Sequence, residues 1–208
     1  TLLTDYEGNS LRTFYIDKKG YIWFGTIDGI YIFDPTDGKL SHYKHSRTDP
    51  FSLPNNSIWE ISEDRQSNVW IGTYSGTLCY VNIDENNAFK TYHPQNSGLN
   101  HTPVSAFAED QQYLWVGTEG GGINRMNKAT GEFSYITSAN SITSNNIKSL
   151  ITDAGHNLWI STFMGGLDLY NVGRQKVTNF KHTKGAPHSL LVNDVRKTIL
   201  EGLSLIHI

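Results

Sequence analysis

The chain has 208 residues, of which 38% are apolar, 12% aromatic and 18% charged, a globular composition that excludes a disordered chain. A formal net charge of −3 without blocks of like charge excludes a basic nucleic-acid surface, and no apolar run approaches the roughly 18–20 residues that span a bilayer. The single cysteine, Cys79, excludes an internal disulfide framework and a CxxC site, and its place in the run Leu78–Val81 predicts an inert core thiol.

Taken in chain order, the elements repeat. The first copy passes from Leu11 and Phe14 through Asp17 to Trp23-Phe24-Gly25-Thr26, then to a turn at Asp28-Gly29, a run Ile30–Phe33 and a last run ending at Tyr43. The second has Ile58, Ile61, Asp64, Trp70-Ile71-Gly72-Thr73, Ser75-Gly76, Leu78–Val81 and Tyr92. The third has Val104, Phe107, Asp110, Trp115-Val116-Gly117-Thr118, Gly120-Gly121-Gly122, Ile123–Met126 and Ile136. The fourth has Ile147, Leu150, Asp153, Trp159-Ile160-Ser161-Thr162, Gly165-Gly166, Leu167–Tyr170 and Phe180. Successive tryptophans are 47, 45 and 44 residues apart, and Asp precedes Trp by six residues, or five in the third copy.

Each copy reads as four short strands, A to D, with Asp and Gly at the A–B turn, Gly at the B–C turn and hairpin punctuation such as Asn127-Lys128-Ala129-Thr130-Gly131 at the C–D turn. Four antiparallel strands recurring every 40–50 residues are the signature of propeller blades, which must stack to bury both faces. The fold class is all-β: a β-propeller fragment of about four four-stranded antiparallel blades in an open arc, with the start of a fifth. The blades are assigned to 1–45, 46–93, 94–137 and 138–182, with a partial fifth at 183–201. The strand-B tryptophan is predicted to fill the space between neighbouring blades. Residues 202–208 fit no blade position, resemble translated sequencing-adaptor sequence, and are expected to be a non-native tail.

The pattern Asn56-x-Ile58-x-x-Ile61-x-Glu63-Asp64, the Trp-Ile-Gly-Thr tetrapeptide and Gly165-Gly166-Leu167 resemble the two-component-regulator propeller repeat. So do the linkers, in which Tyr43-Lys44-His45 is followed by Ser52-Leu53 and Asn55-Asn56, and Phe180-Lys181-His182 by Ser189-Leu190 and Asn193. The resemblance covers residues 5–201, with departures at Ser161 and Thr77 where glycine is usual. It implies a periplasmic propeller of a Bacteroidetes hybrid regulator, ahead of a membrane span and of kinase, receiver and DNA-binding parts outside this chain. Such propellers sense oligosaccharides from polysaccharide breakdown. The implied partners are the remaining blades and a second copy of the parent, as a homodimer; nucleic acid is not one in this region.

Strand alternation puts the D–A linkers and B–C turns at one end of each blade, where variable loops concentrate. Sugar binding needs aromatic platforms and planar polar groups. Tyr74, Phe163, Asp28, Glu119, Asn56 and Asn146 supply them there. Trp59 joins them from a strand-A position held elsewhere by Arg12, Ser105 and Lys148. The eight histidines are scattered without HxxxH or HExxH spacing, Gly120–Gly122 is followed by no Lys-Ser/Thr, and no GxSxG occurs. No catalytic residue, metal or cofactor is expected. Ligand sensing is the leading reading. A streptogramin-lyase-like enzyme, which shares Asp-x-x-Gly-x-x-Trp repeats, and an adhesion or scaffold propeller without a small ligand stand as alternatives.

Overall fold

The structure is a computed structural model and describes residues 10–74, 77–82, 86–93, 95–201 and 204–207. It divides into two compact units, Thr1–His93 and Pro94–Ile208. The described secondary structure is all strand. Unit 1 contains two sheets. The first is β1 (Leu11–Ile16), β2 (Ile22–Thr26), β3 (Gly29–Phe33) and β4 (Leu40–Tyr43). The second is β5 (Ile58–Glu63), β6 (Val69–Thr73), β7 (Leu78–Asn82) and β8 (Asn86–Tyr92). Unit 2 contains β9 (Val104–Glu109), β10 (Tyr113–Thr118), β11 (Gly122–Asn127) and β12 (Phe133–Ile136), then β13 (Ile147–Thr152), β14 (Asn157–Thr162), β15 (Gly166–Asn171) and β16 (Lys176–Phe180). Each set of four is an antiparallel meander in chain order. The turn at Ser75-Gly76, expected between β6 and β7, lies outside the described residues.

The second and third strands of each sheet carry the β-branched and aromatic residues and are buried nearly throughout, as in β3 and β6, whereas β16 alternates exposed and half-buried. Strands buried on both faces need a neighbour on each side. In unit 1, β5 lies against β1 and β2; in unit 2, β13 lies against β9 and β10. Trp23 is fully buried in one cluster with Leu53 of the following linker and Ile58 and Ile61 of the next sheet. Trp115 is likewise buried with Ile142, Ile147 and Leu150. These two indoles fill the space between sheets, as the repeat predicts.

The acid that precedes each tryptophan has a second role that turn chemistry alone does not reveal. The indole Nε1–H of Trp23, Trp70, Trp115 and Trp159 donates to Oδ2 of Asp17, Asp64, Asp110 and Asp153, at 2.8, 2.8, 3.0 and 3.0 Å. The other oxygen accepts backbone N–H groups of the A–B turn: Tyr21 on Asp17, Asn68 on Asp64, Tyr113 on Asp110 and Asn157 on Asp153. One carboxylate thus ties the turn to the indole. The third copy keeps this bond with a turn one residue shorter, which accounts for its five-residue spacing. Burial opposes ionisation of Asp153, but the donors of Asn157, Trp159 and Gly155 outweigh it and hold that carboxyl below its ordinary value.

The threonine that ends each tetrapeptide is fully buried and clasps the B–C turn. Thr118 Oγ1 donates to the Gly122 carbonyl at 3.0 Å and accepts the Gly121 N–H at 3.1 Å. Thr26 and Thr73 each do the same with their own turns, and Thr162 donates to the Gly166 carbonyl. Replacing Thr118 by isosteric valine removes both side-chain bonds, so urea denaturation of Thr118→Val should show a loss of about 1–3 kcal/mol.

The partial fifth repeat docks like its predecessors. Asn193 Oδ1 accepts the His182 N–H at 2.7 Å, and His182 Nδ1 lies 2.7 Å from the Leu190 carbonyl, as Asn56 and Leu53 do for His45. These two histidines are linker fasteners. Ser161, the departure from glycine, is buried and shares a 2.7 Å hydrogen bond with Thr198. Ser204–His207, which fit no blade position in the sequence, form β18 (Ser204–His207) against β17 (Thr198–Glu201). Cys79 is a buried core residue, and burial pushes its thiol pKa far up, as expected of an inert thiol.

Candidate functional site

Each first strand breaks its pairing with the second strand at the same place. The irregularity falls between Leu11 and Thr13, between Ile58 and Glu60 and between Ile147 and Ser149, and in β9 it leaves Ser105 unpaired. A bulge re-aims the side chain of its extra residue. The four re-aimed residues are Arg12, Trp59, Ser105 and Lys148, which differ in chemical type from copy to copy.

In unit 1 the bulge brings Trp59 onto Tyr74, with ring centroids 5.4 Å apart and planes 29° from parallel. Arg12 from the first sheet lies 5.0 Å from the Trp59 ring and 6.0 Å from that of Tyr74. Tyr74 is 50% exposed, so the stack presents an accessible aromatic face rather than a packed core. Its place is held by the Tyr74 N–H, which donates to the Ser57 carbonyl at 2.9 Å.

Unit 2 repeats the construction with different chemistry. Lys148 forms an ion pair with Glu119, and its Nζ lies 5.6 Å from the Phe163 ring. Both charged side chains are largely shielded, which strengthens the pair relative to an exposed one. Phe163 is 40% exposed, and its N–H donates to the Asn146 carbonyl at 2.9 Å. Tyr74, Glu119 and Phe163 are equivalent residues, each directly after the clasping threonine. Ser105 instead turns inward, is buried, and donates to the Ile147 carbonyl at 2.7 Å.

Of the remaining candidates, Asn56 and Asp28 are not drawn into these clusters, and Asn146 joins the second through its backbone. Asn56 spends its side chain on the linker: Oδ1 accepts the His45 N–H at 2.6 Å, and its carbonyl accepts the Gly29 N–H at 2.7 Å. Its equivalent in blade 4 is Asn145, whose Oδ1 accepts the Ser138 N–H and whose carbonyl accepts the Gly122 N–H, and not Asn146 as adjacency in sequence suggests. Asn146 is exposed and contributes its backbone to the turn. Asp28 pairs with Lys44 at 2.6 Å, and its carbonyl lies 2.8 Å from His42 Nε2. Sequence reading missed Arg12 and Lys148 as members; the signal was available, since both occupy the Trp59 position. Among the described residues, no group of three or more His, Cys, Asp or Glu side chains could hold a metal ion.

Four-stranded antiparallel meanders with indoles packed between them define β-propeller blades, and comparison with known proteins shows what they resemble. A family model described as two component regulator propeller matches residues 5–28, 52–75 and 98–120, the start of each of the first three copies through its tetrapeptide. Histidine kinase P4 of Formosa agariphila is 27% identical across 89% of this chain. Among solved structures, the extracellular domain of BT4673 from B. thetaiotaomicron superposes with a TM-score of 0.78 at 25% identity over 95% of the chain. That of BT3049, named as a hybrid two component system from the same organism, gives 0.76 over 94% at 19% identity, a likeness of fold. The chain spans 14% of the kinase and 25% and 31% of the two extracellular domains. Its first three copies are thus similar to two-component-regulator propeller repeats.

Proposed function

We propose that this chain is part of the extracytoplasmic sensor of a hybrid two-component regulator and that its ligand is an oligosaccharide released by polysaccharide breakdown. The extracytoplasmic reading is supported by the solved extracellular domains it resembles. Phosphotransfer would belong to parts of the parent outside residues 1–208, anchored in the inner membrane. The observation that carries the ligand reading is the bulge position: it exposes a Trp59–Tyr74 stack beside Arg12, and Phe163 beside Lys148 and Glu119. Sugars are recognised by the flat apolar face of an aromatic ring together with planar charged groups that bind hydroxyls. Both kinds of group are present, and hydrogen bonds fix the backbone at Tyr74, Glu119 and Phe163, which lowers the cost of ordering them on binding.

Titration of the intact protein with a broad panel of neutral and acidic oligosaccharides, followed by calorimetry and tryptophan fluorescence, tests this. At least one should bind, and Trp59→Ala should weaken it about tenfold or more, the loss typical of a central aromatic contact. A panel without a binder, or a binder indifferent to Trp59→Ala, would refute the reading.

A further inference from the structure

A cleft of about 220 Å³ opens in unit 2 between blades 3 and 4, away from the bulge residues. Its charged member is Arg125, on β11 directly opposite Trp115. The same register in the other blades is held by Ile32, Tyr80 and Leu169, opposite Trp23, Trp70 and Trp159. Blade 3 alone has a cation where the repeat otherwise has an apolar or aromatic side chain. The repeat therefore does not need this arginine to fold.

The guanidinium is held rigidly. It lies 4.6 Å from the Tyr113 ring and 5.8 Å from the Trp115 ring, and its Nε–H donates to Ser134 Oγ at 2.9 Å. That leaves the two terminal nitrogens, the prongs of the fork, for another partner. No acidic side chain lines the cleft, and Arg125 has no ion pair among the described residues. The corresponding face of blade 1, around Tyr21 and Ser41, carries Asp34, Asp37 and Lys39 instead. A half-buried guanidinium without a counter-charge is a costly arrangement that a bound carboxylate relieves through paired, charge-assisted hydrogen bonds. The rest of the wall is neutral: Ile136 and Tyr135 beside the polar groups of Ser141, Asn140, Gln175 and the phenol of Tyr170. Burial raises the Tyr170 pKa while Arg125 opposes it, so the phenol stays protonated and able to donate. The volume is below that of a drug-sized pocket and suits a single sugar ring.

We infer that this cleft binds a hexuronate residue, its carboxylate on the Arg125 fork and its hydroxyls toward Ser141, Tyr170 and Gln175. This narrows the proposed glycan to an acidic one and rests on that reading for the sugar, though not for the carboxylate. The test is calorimetry on the intact protein with glucuronate and galacturonate, with glucose and galactose as neutral counterparts, and with inorganic sulfate. One uronate should bind with a dissociation constant on the order of 1 mM, as fits one ring in one small pocket, and the neutral sugars should not. Arg125→Leu places the blade 4 residue in blade 3, so its melting temperature should match the wild type while uronate affinity falls about 10- to 100-fold. Equal binding of neutral sugars, sulfate binding as tight as the uronate, or unchanged affinity in Arg125→Leu would each overturn the inference. An oligosaccharide lost on Trp59→Ala but kept by Arg125→Leu would leave the sensing reading standing and remove this one.

Discussion

Replacing Trp115 with alanine should lower the unfolding free energy of its blade pair by about 3–5 kcal/mol, the usual cost of emptying a large buried aromatic site. The indole is fully buried, meets Tyr170 edge-on at 6.2 Å and donates to Asp110. Its removal opens a cavity between two sheets that no short side chain can fill, and it strips one donor from a carboxylate that also organises the A–B turn. Urea denaturation followed by circular dichroism measures the loss. Trp59→Ala is the matched control: that indole is partly exposed and stacked on an exposed ring, so about 1 kcal/mol is expected. A change below about 1 kcal/mol for Trp115→Ala would mean that the indole does not hold the sheets together.

Gly122→Ala should be nearly as damaging, at about 3 kcal/mol, and a second glycine separates the two causes. Gly122 has φ +74° and Gly131 has φ +73°, so the backbone strain of an alanine is the same at both. A Cβ on Gly131 meets open space, whereas one on Gly122 falls 2.5 Å from the Ile136 carbonyl oxygen, a backbone atom that cannot step aside. Strain alone costs about 1 kcal/mol, so Gly131→Ala should lose that much and Gly122→Ala about three times as much. Equal losses would place the effect in the dihedral and not in the approach of strand to turn. That approach brings the Gly122 N–H onto the Asn145 carbonyl of the next linker at 3.0 Å, so the same substitution should also loosen blade-to-blade docking.

The fold was legible because propeller blades repeat their solutions. Tryptophan, aspartate and turn glycine recur at offsets that only stacked meanders satisfy, and the strand ends at Tyr43, Tyr92, Ile136 and Phe180 are those expected. The site was legible only in part. A bulge is a matter of register, invisible in a sequence whose strand still alternates, so Trp59 was recognised as odd while Arg12 and Lys148 were treated as background. Asn56 reads as a free carboxamide until its hydrogen bond to the His45 N–H is seen. The pairing of aspartate with indole escaped because the five or six intervening residues form a turn, and closure across a turn is a three-dimensional fact.

The aspartate and threonine fasteners operate inside each repeat, the tryptophan packs toward the next, and no hydrogen bond from any of the three side chains goes to the bulge residue. In three blades that position is thereby released from the duties of folding and holds arginine, tryptophan and lysine, whereas Ser105 in the other ties its strand to the next blade. A lineage could rewrite those three residues one codon at a time and change what the surface recognises while the scaffold beneath stays constant.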